Sequence, residues 1–367
     1  MCLILLFLLP VFVECTQFDF PIEGPEKANL INSRIFLPCF KGVFDEEYGY
    51  FEPLTFVIYP FTFLPISVCP QLSSKKTLRC LAISKMEPNK IVPCGEIEPK
   101  SKVCIHIHAY QGEYDETLAI LTALTCLRDN DWAVLVDWAR MAAPRVFSTI
   151  RLPVFNLLLA LTNPILNGRI TCKLVRYLNK VKKVKIKDIF VVGLSAGSQF
   201  LSPMADYCRE KYDIHFNHMV ALDLPFLPYR RSNYPLVNRT SAKFVDVIFT
   251  TIAPDVPQLD GYYTATMHVG YLEVDANCVY YVNPERILLE QEPCVSMPGS
   301  ICSHVFSVLV YVSAYSGRCL YRYGPCPDKI IPLNTSREVG STRLNCADHP
   351  FLGRTCITTS SNPLISC

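Results

Sequence analysis

Residues 188–197, DIFVVGLSAG, decide the fold of this 367-residue chain. A run of apolar, β-branched residues leads directly into the pattern Gly-x-Ser-x-Gly, with Ser195 at its centre. A serine hydroxyl is presented at the end of a sheet only if the chain turns sharply from strand to helix, and Gly193 and Gly197 leave room for that turn. The stretch therefore predicts a buried strand, a candidate nucleophile at Ser195 and a helix over 196–211. A glycine-rich turn without a catalytic role is the alternative interpretation.

Strand-like and helix-like patterns alternate around this stretch. The residues predict further strands at 103–107, 133–136 and 219–222, and helices over 117–127 and within 153–182. This order is typical of an α/β fold with a mostly parallel central sheet and helices on both faces. An apolar piece at 152–166 is interrupted by two asparagines and a proline, so we expect a core helix there and no transmembrane segment.

Functional residues in such sheets collect at the carboxyl ends of the strands. Asp223 follows the 219–222 strand, and a carboxylate at this point can hold a histidine in the correct tautomer. A lone aspartate at a strand end is more often a helix cap or a turn residue. Asp223 is therefore a catalytic candidate only because Ser195 is present. The loop 108–112 follows the 103–107 strand and is positioned to give a backbone N–H to an oxyanion.

Three histidines lie downstream of Asp223, in the chain order Ser, Asp, His that this kind of fold uses. They are His268, His304 and His349. We predict that His304 is the general base, because a disulfide at Cys302 could fix its loop and an apolar run follows it. An exposed histidine at the start of a helix is the alternative.

The first residues of the chain predict a secretory signal peptide over 1–15, with cleavage after Cys15. Removing Cys2 and Cys15 from the 18 cysteines leaves 16, an even number. So many cysteines in a chain that enters the secretory route predict disulfides and an extracellular protein. The sequons at Asn238 and Asn334 are candidate glycosylation sites and agree with secretion.

Composition limits the remaining possibilities. Half of the residues are hydrophobic, which is enough for a large core, and a net charge of +2 indicates no nucleic-acid partner. The basic run at 180–187 is interpreted as a solvated helix end or loop, with an anionic-membrane patch as the alternative. We divide the chain into a cysteine-containing, β-rich N-terminal segment (16–100), an α/β core (101–318) and a cysteine-rich C-terminal tail (319–367).

Several stretches between residue 103 and about residue 314 carry a family resemblance, in the family's order. They include VCIHIHAY, WAVLVDWAR, VVGLSAG, VALDLP and CSH. With these motifs the chain resembles the secreted neutral lipases of the pancreatic lipase family, which also includes phospholipases A1 and insect yolk proteins. The resemblance implies an α/β-hydrolase fold and a catalytic triad of Ser195, Asp223 and His304. It also implies oxyanion donors at the backbone N–H groups of Ala196 and Tyr110.

The resemblance further implies a lid between Cys294 and Cys302, with only residues 295–301 between them. Ala109 stands where the family usually has glycine in the oxyanion loop, and Leu194 replaces the histidine usual before the nucleophile. Calcium-binding relatives have aspartates in the segment where this chain has Asn238 and Ser241, so we predict no metal site. Residues 278–288 look like an insertion of unknown role.

These observations predict a secreted, disulfide-linked α/β-hydrolase that cleaves carboxylic esters of lipids at a lipid surface, as a lipase or a phospholipase A1. The predicted reaction is acyl transfer to Ser195, which needs no cofactor. A catalytically silent lipid-binding or yolk-storage protein on the same fold is the alternative.

Overall fold

The structure of this chain is a computed structural model. It describes the following residues: 43–45, 49–51, 54–57, 65–68, 78–110, 112–142, 153–225, 236–251, 274–284, 291, 294, 301–317, 319–324, 326, 340–342, 344–347 and 353–359. The predicted signal peptide, the second sequon at Asn334, and His268 and His349 lie outside these residues. Among the helices of the described part, none has the length and apolarity needed to cross a membrane.

Fifteen strands are present in the described residues. In chain order they are β1 (Val43–Asp45), β2 (Gly49–Phe51), β3 (Leu54–Val57), β4 (Pro65–Val68), β5 (Arg79–Ser84), β6 (Ile91–Pro93), β7 (Val103–Ile107), β8 (Trp132–Asp137), β9 (Ile189–Leu194), β10 (Phe216–Leu222), β11 (Ala242–Phe249), β12 (Cys278–Val282), β13 (Tyr321–Gly324), β14 (Gly340–Thr342) and β15 (Gly353–Thr358). β1 pairs with β2 and β3 with β4, both antiparallel, in two small separate sheets. All the other strands belong to one large sheet.

The strand order in the large sheet is β14-β13-β15-β12-β11-β10-β9-β7-β8-β5-β6. The seven strands from β15 to β8 in this order run parallel to one another. Antiparallel strands complete both edges: β5 and β6 on one side, β13 and β14 on the other. The central parallel strands are mostly apolar on both faces, as expected for strands covered by helices on each side.

Five α-helices are described: α1 (Thr117–Cys126), α2 (Ala139–Ala142), α3 (Pro153–Lys180), α4 (Leu201–Tyr212) and α5 (Ile301–Tyr315). On one face of the sheet, residues of β7 and β9 such as Ile105 and Val191 pack in a core cluster with α3 and α4. On the opposite face, alternate residues such as Val192 pack with α1 and α5. The predicted α/β fold, with a mostly parallel sheet and helices on both faces, is therefore confirmed.

The structure corrects two details of the sequence analysis. The helix predicted over 196–211 begins at Leu201, because Ser195–Phe200 first form a tighter 3₁₀ turn that completes the reversal after β9. Residues 278–288 looked like an insertion, but their first five residues are β12, a buried central strand between β11 and β15. The sheet also includes β5 and β6 from the N-terminal segment and β13 to β15 from the C-terminal tail.

Six disulfides join described cysteines. They are Cys80–Cys94, Cys104–Cys126, Cys172–Cys208, Cys278–Cys346, Cys294–Cys302 and Cys326–Cys356. Several of them fasten a helix or loop to the sheet or to another helix: one ties α1 to β7, and another ties α3 to α4. Because such cross-links restrict the unfolded chain, they stabilise the fold in an oxidising environment.

His106 is a polar exception within the core. It lies in β7 between Leu135 and Val192 of the neighbouring strands, and neither ring nitrogen has a hydrogen-bond partner in the described part of the chain. Burial, reinforced by the nearby His108, lowers the pKa of His106 to about 3. The folded protein therefore holds this imidazole neutral at any pH above about 3, whereas the unfolded chain protonates it near its usual pKa of about 6.5.

We predict that His106→Leu reduces the loss of stability in acid. Between pH 6.5 and 3 the unfolded wild-type chain binds a proton that the folded chain does not, which lowers the free energy of unfolding by up to about 1.4 kcal/mol per pH unit. The variant lacks this proton, so its stability relative to wild type should rise by about 2–3 kcal/mol from pH 7 to pH 4.5. Denaturant unfolding at both pH values, with disulfides intact, measures the difference. His215→Leu, at an exposed histidine, is the control, and parallel loss of stability in His106→Leu and wild type would contradict the prediction.

Candidate active site

Ser195 lies directly after β9, at the sharp turn that leads towards α4. Its φ is 53°, in the left-handed region that a residue with a side chain rarely adopts. Such strain persists only where the surroundings enforce it, and it is the backbone conformation expected of a serine held at a strand-to-helix turn. The turn is buried, and Ser195 itself is only 8% exposed.

The two glycines of the motif are required by close contacts. A Cβ atom on Gly193 would lie 2.6 Å from Ser198 Cα, across the turn. A Cβ atom on Gly197 would lie 2.3 Å from the carbonyl oxygen of Ile107 and 2.5 Å from that of His108. The second contact presses the serine turn against the end of β7, so Ala196 and the loop after β7 are neighbours.

Asp223 follows β10 at the position equivalent to Ser195 on the adjacent strand. Leu222 pairs with Leu194 in the parallel ladder between β10 and β9, so the next residue on each strand reaches the same edge of the sheet. Neighbouring strands are about 4.8 Å apart. The sheet register therefore brings the candidate nucleophile and the candidate carboxylate together at the carboxyl edge.

The carboxylate of Asp223 has no exposed surface, and hydrogen bonds satisfy both of its oxygens. Oδ1 accepts from the backbone N–H groups of Thr250 (2.8 Å) and Thr251 (3.1 Å), which follow β11. Oδ2 accepts from the Thr251 hydroxyl and faces His304 Nδ1 in a short contact. Four partners of this kind replace the hydrogen bonds that water would otherwise make to the carboxylate.

His304 lies in the first turn of α5, close behind the Cys294–Cys302 disulfide. Its side chain is 13% exposed, so the ring is mostly covered but reaches the surface of the site. Because Nδ1 is hydrogen-bonded to Asp223, Nε2 is the nitrogen that would exchange a proton with Ser195. The structure thus brings the predicted base and the carboxylate predicted to orient it into direct contact across 81 residues of sequence.

The loop after β7 is held by His108. Its Nε2 accepts a hydrogen bond from the backbone N–H of Trp138 (3.1 Å), so the proton is on Nδ1, which donates to the carbonyl of Ala109 (3.0 Å). The indole N–H of Trp138 donates to the carbonyl of His108 (2.9 Å), and the two rings stack. These contacts and the Gly112-to-Ala109 backbone hydrogen bond (3.1 Å) define the turn that contains Tyr110.

Ala109 does not disturb this loop. It is absent from the described residues with positive φ, so its backbone conformation does not require the glycine usual in the resembling family. Tyr110 is partly buried against the core on the face that packs with α3 and α4. The predicted oxyanion donors, Ala196 and Tyr110, stay predictions, and both belong to segments that meet at Gly197.

Asp137, which ends β8, supports the same loop from behind. Burial opposes its ionisation, but the backbone N–H of Ala139 and the guanidinium of Arg79 outweigh this effect and lower the pKa of Asp137. Its Oδ1 accepts from Ala139 N–H at 3.1 Å, and Arg79 forms an ion pair with Oδ2. Neither Asp137 nor Trp138 was singled out from the sequence, although both directly follow a predicted strand.

A second buried histidine–aspartate pair lies elsewhere in the sheet. His218 Nε2 is 2.5 Å from Asp246 Oδ2, and the hydroxyl of Tyr315 donates to the same oxygen at 3.0 Å. Asp246 also lies near the sulfurs of Cys278 and Cys346, an arrangement that resembles a metal site. Those sulfurs are joined in a disulfide, so they are not available as thiolate ligands.

The segment in which calcium-binding relatives carry aspartates forms a self-contained turn. Asn238 Oδ1 accepts from the backbone N–H of Thr240 (2.8 Å) and from its hydroxyl (2.6 Å). The hydroxyl of Ser241 accepts from the backbone N–H of Asn238 at 3.1 Å. The oxygens of both side chains thus have partners within their own turn.

The residues between the lid cysteines up to 300, and those at 252–273, lie outside the described part of the chain.

Comparison with solved structures finds hydrolases. The chain matches one of two esterases from the fungus Rhizomucor miehei with 18% identity and a TM-score of 0.23, over 36% of this chain and 37% of the other. It matches an esterase from the archaeon Pyrobaculum calidifontis with 14% identity and a TM-score of 0.25, over 47% and 45%. A dienelactone hydrolase from Anabaena variabilis matches with 10% identity and a TM-score of 0.29, over 54% and 74%.

The chain therefore spans less than half of the length of the two esterases. No protein-family model matches it, and no curated protein matches it. With so little of each backbone superposed, these likenesses say nothing about the activity of this chain.

We predict that Gly197→Ala destabilises the fold by about 2–4 kcal/mol, because the added methyl group overlaps two backbone oxygens that cannot move without displacing β7. Gly95→Ala is the matched control, since a Cβ atom there has nothing within 4 Å. Denaturant unfolding of both variants measures the effect. Equal stability of the two would mean that the serine turn does not press on β7.

Proposed function

We propose that this protein is a carboxylic ester hydrolase that acts through Ser195, His304 and Asp223. The observation that carries the proposal is the contact between His304 and the buried Asp223, formed at the sheet edge where the strained Ser195 ends the neighbouring strand. A serine needs an adjacent base to become a nucleophile, and the base needs a partner that orients it and stabilises its charged form.

The proposed reaction has two halves. His304 takes the proton of the Ser195 hydroxyl as its oxygen attacks the ester carbonyl, and the N–H groups of Ala196 and Tyr110 hold the tetrahedral oxyanion. The C–O bond to the alcohol breaks, and the alcohol leaves with the proton from His304. Water then attacks the acyl-enzyme in the same way and releases the carboxylic acid.

Lipid esters are the proposed substrates, in line with the resemblance to secreted lipases and phospholipases A1. The Cys294–Cys302 disulfide closes a loop of sequence separation 8, immediately before the helix that carries His304. Seven extended residues span at most about 25 Å, and about half of that when tied at both ends. So short a segment leaves the site open to monomeric esters and to bulky polar head groups.

Secretion into an oxidising compartment is part of the proposal. It is supported by the six disulfides and by the apolar first 15 residues of the chain. The glycosylation sites at Asn238 and Asn334 belong to the same proposal. Asn238 lies in a turn whose next residue, Arg239, is exposed, and this position suits a glycan.

We predict that Ser195→Ala lowers ester hydrolysis by about three orders of magnitude or more. The secreted amount and the melting temperature should change little, because the change removes one oxygen atom from the turn. Ser202→Ala, at a buried serine on the next helix, is the matched control and should keep its rate. Hydrolysis of a triglyceride, a phospholipid and a short soluble ester is measured side by side. Equal activity of wild type and Ser195→Ala would favour the silent lipid-binding protein instead.

The second prediction concerns access to the site. Without a covering lid, hydrolysis of a short-chain ester should rise smoothly through its solubility limit, and fatty acid should be released from phospholipid. Rates measured on either side of the solubility limit test this expectation. A steep increase only above the limit, with phospholipid intact, would mean that another segment covers the site.

A further inference from the structure

Gln291 is a fully buried residue whose amide group is saturated with hydrogen bonds. Its Nε2 donates to the carbonyl oxygens of Thr250 (3.1 Å) and Val282 (3.0 Å), which lie at the ends of β11 and β12. Its Oε1 accepts from Asn283 Nδ2 at 3.0 Å. Its backbone N–H donates to the hydroxyl of Ser303 at 2.9 Å.

These contacts join the two parts of the chain that hold Asp223 and His304. Thr250 donates its own N–H to Asp223, so the Gln291 amide fixes the turn that solvates the carboxylate. Ser303 directly precedes His304 in the first turn of α5, so the Gln291 backbone fixes the start of that helix. Gln291 is thus hydrogen-bonded both to Thr250, beside Asp223, and to Ser303, beside His304.

The backbone of Gln291 is itself tied to the lid disulfide. Its carbonyl oxygen accepts a hydrogen bond from the N–H of Cys294 at 2.8 Å, and Cys294 is bonded to Cys302 within the start of α5. Gln291 is therefore linked to the start of α5 in two ways, through its own hydrogen bond to Ser303 and through Cys294 with its disulfide to Cys302. Both links restrict where the start of α5, and with it the imidazole of His304, can lie.

The network requires an amide at position 291. Two carbonyl oxygens about 3 Å from Nε2 need a group with two donors, and the Asn283 amide needs an acceptor beside them. Glutamate has the same shape, but its carboxylate has no donor and would face the two carbonyl oxygens. A buried polar network with an unsatisfied member costs more than the average hydrogen bond because no water replaces the lost partner.

We propose that Gln291 is a positioning residue that sets the geometry between Asp223 and His304 from behind the site. It touches neither the substrate nor the reacting atoms. The inference rests on the proposed function for its kinetic consequences, whereas the geometry itself can be observed without turnover.

The kinetic experiment compares Gln291→Glu with wild type on the best of the three esters. We expect kcat to fall about 10- to 100-fold with KM within about twofold, since misplacement of a base slows the chemical step and leaves substrate contacts intact. Asn179→Asp is the matched control. It also removes an amide donor to a backbone carbonyl, that of Val184 at 2.9 Å, after α3. Its kcat should stay within twofold of wild type even where its melting temperature falls.

The spectroscopic experiment observes the proton between His304 Nδ1 and Asp223. A proton in a short, charge-assisted hydrogen bond resonates far downfield in the proton NMR spectrum, and His304→Gln assigns the signal by removing it. In Gln291→Glu we expect this resonance to shift or broaden, while Asn179→Asp leaves it in place. A protein that is merely less stable would keep the wild-type resonance below its melting temperature.

The two experiments separate the two possible failures. Absence of ester hydrolysis in wild type would remove the proposed function, and the downfield resonance would still decide the role of Gln291. If Gln291→Glu folds and its kcat stays within twofold of wild type, the inference is overturned. If the wild type shows no turnover, an unchanged downfield resonance in Gln291→Glu overturns it instead. If Gln291→Glu does not fold, Ser303→Ala removes the acceptor of the Gln291 backbone N–H and is judged by the same measurements, with an expected fall in kcat of about threefold or more.

Discussion

The buried carboxylate of Asp223 is the constraint on which the site depends. An ionised carboxylate without exposed surface is several kcal/mol unfavourable unless hydrogen bonds replace its water. Two of its donors are consecutive backbone N–H groups, at Thr250 and Thr251. They can reach Asp223 only because β11 lies beside β10 and both chains turn at the same edge. Asp223 itself adopts a φ of 42°, a strained conformation for a residue with a side chain. The hydrogen bonds to its carboxylate offset that strain.

The same edge collects the remaining parts of the site from separate elements. The turn after β9 is pressed onto the end of β7 by the Gly197 contact, and the loop after β7 is in turn locked by the stacking and hydrogen bonds between His108 and Trp138. α5 is held at its start by a disulfide and by Gln291. The loop after β7 and the start of α5 are each fixed by at least two interactions of different kinds, which is what precise placement of reacting groups requires.

A buried histidine–aspartate contact is not sufficient evidence of catalysis in this molecule. His218 and Asp246 form such a pair, yet His218 lies near the start of β10, five residues before Asp223. At about 3.3 Å per residue this places it roughly 16 Å from the edge that carries Ser195. The Asp246 carboxylate also accepts a hydrogen bond from the hydroxyl of Tyr315, in α5. Burial raises the pKa of that tyrosine well above its usual value. The pair therefore supports the packing of α5 on the sheet.

The sequence alone determined the elements and the candidate residues. Apolar runs placed β7 at its observed bounds and β8, β9 and β10 within three residues of theirs. The residues that follow these runs included Ser195 and Asp223, because local periodicity and chain order are properties of the sequence itself. His304 was selected from three histidines by its neighbours in the chain. Only the tertiary structure decided that residues 278–282 are a central strand, that His108 is held by Trp138, and that Thr250, Thr251 and Gln291 surround Asp223 and His304. These facts depend on contacts between residues dozens of positions apart, and burial and sheet register, which no local pattern records, bring those residues together.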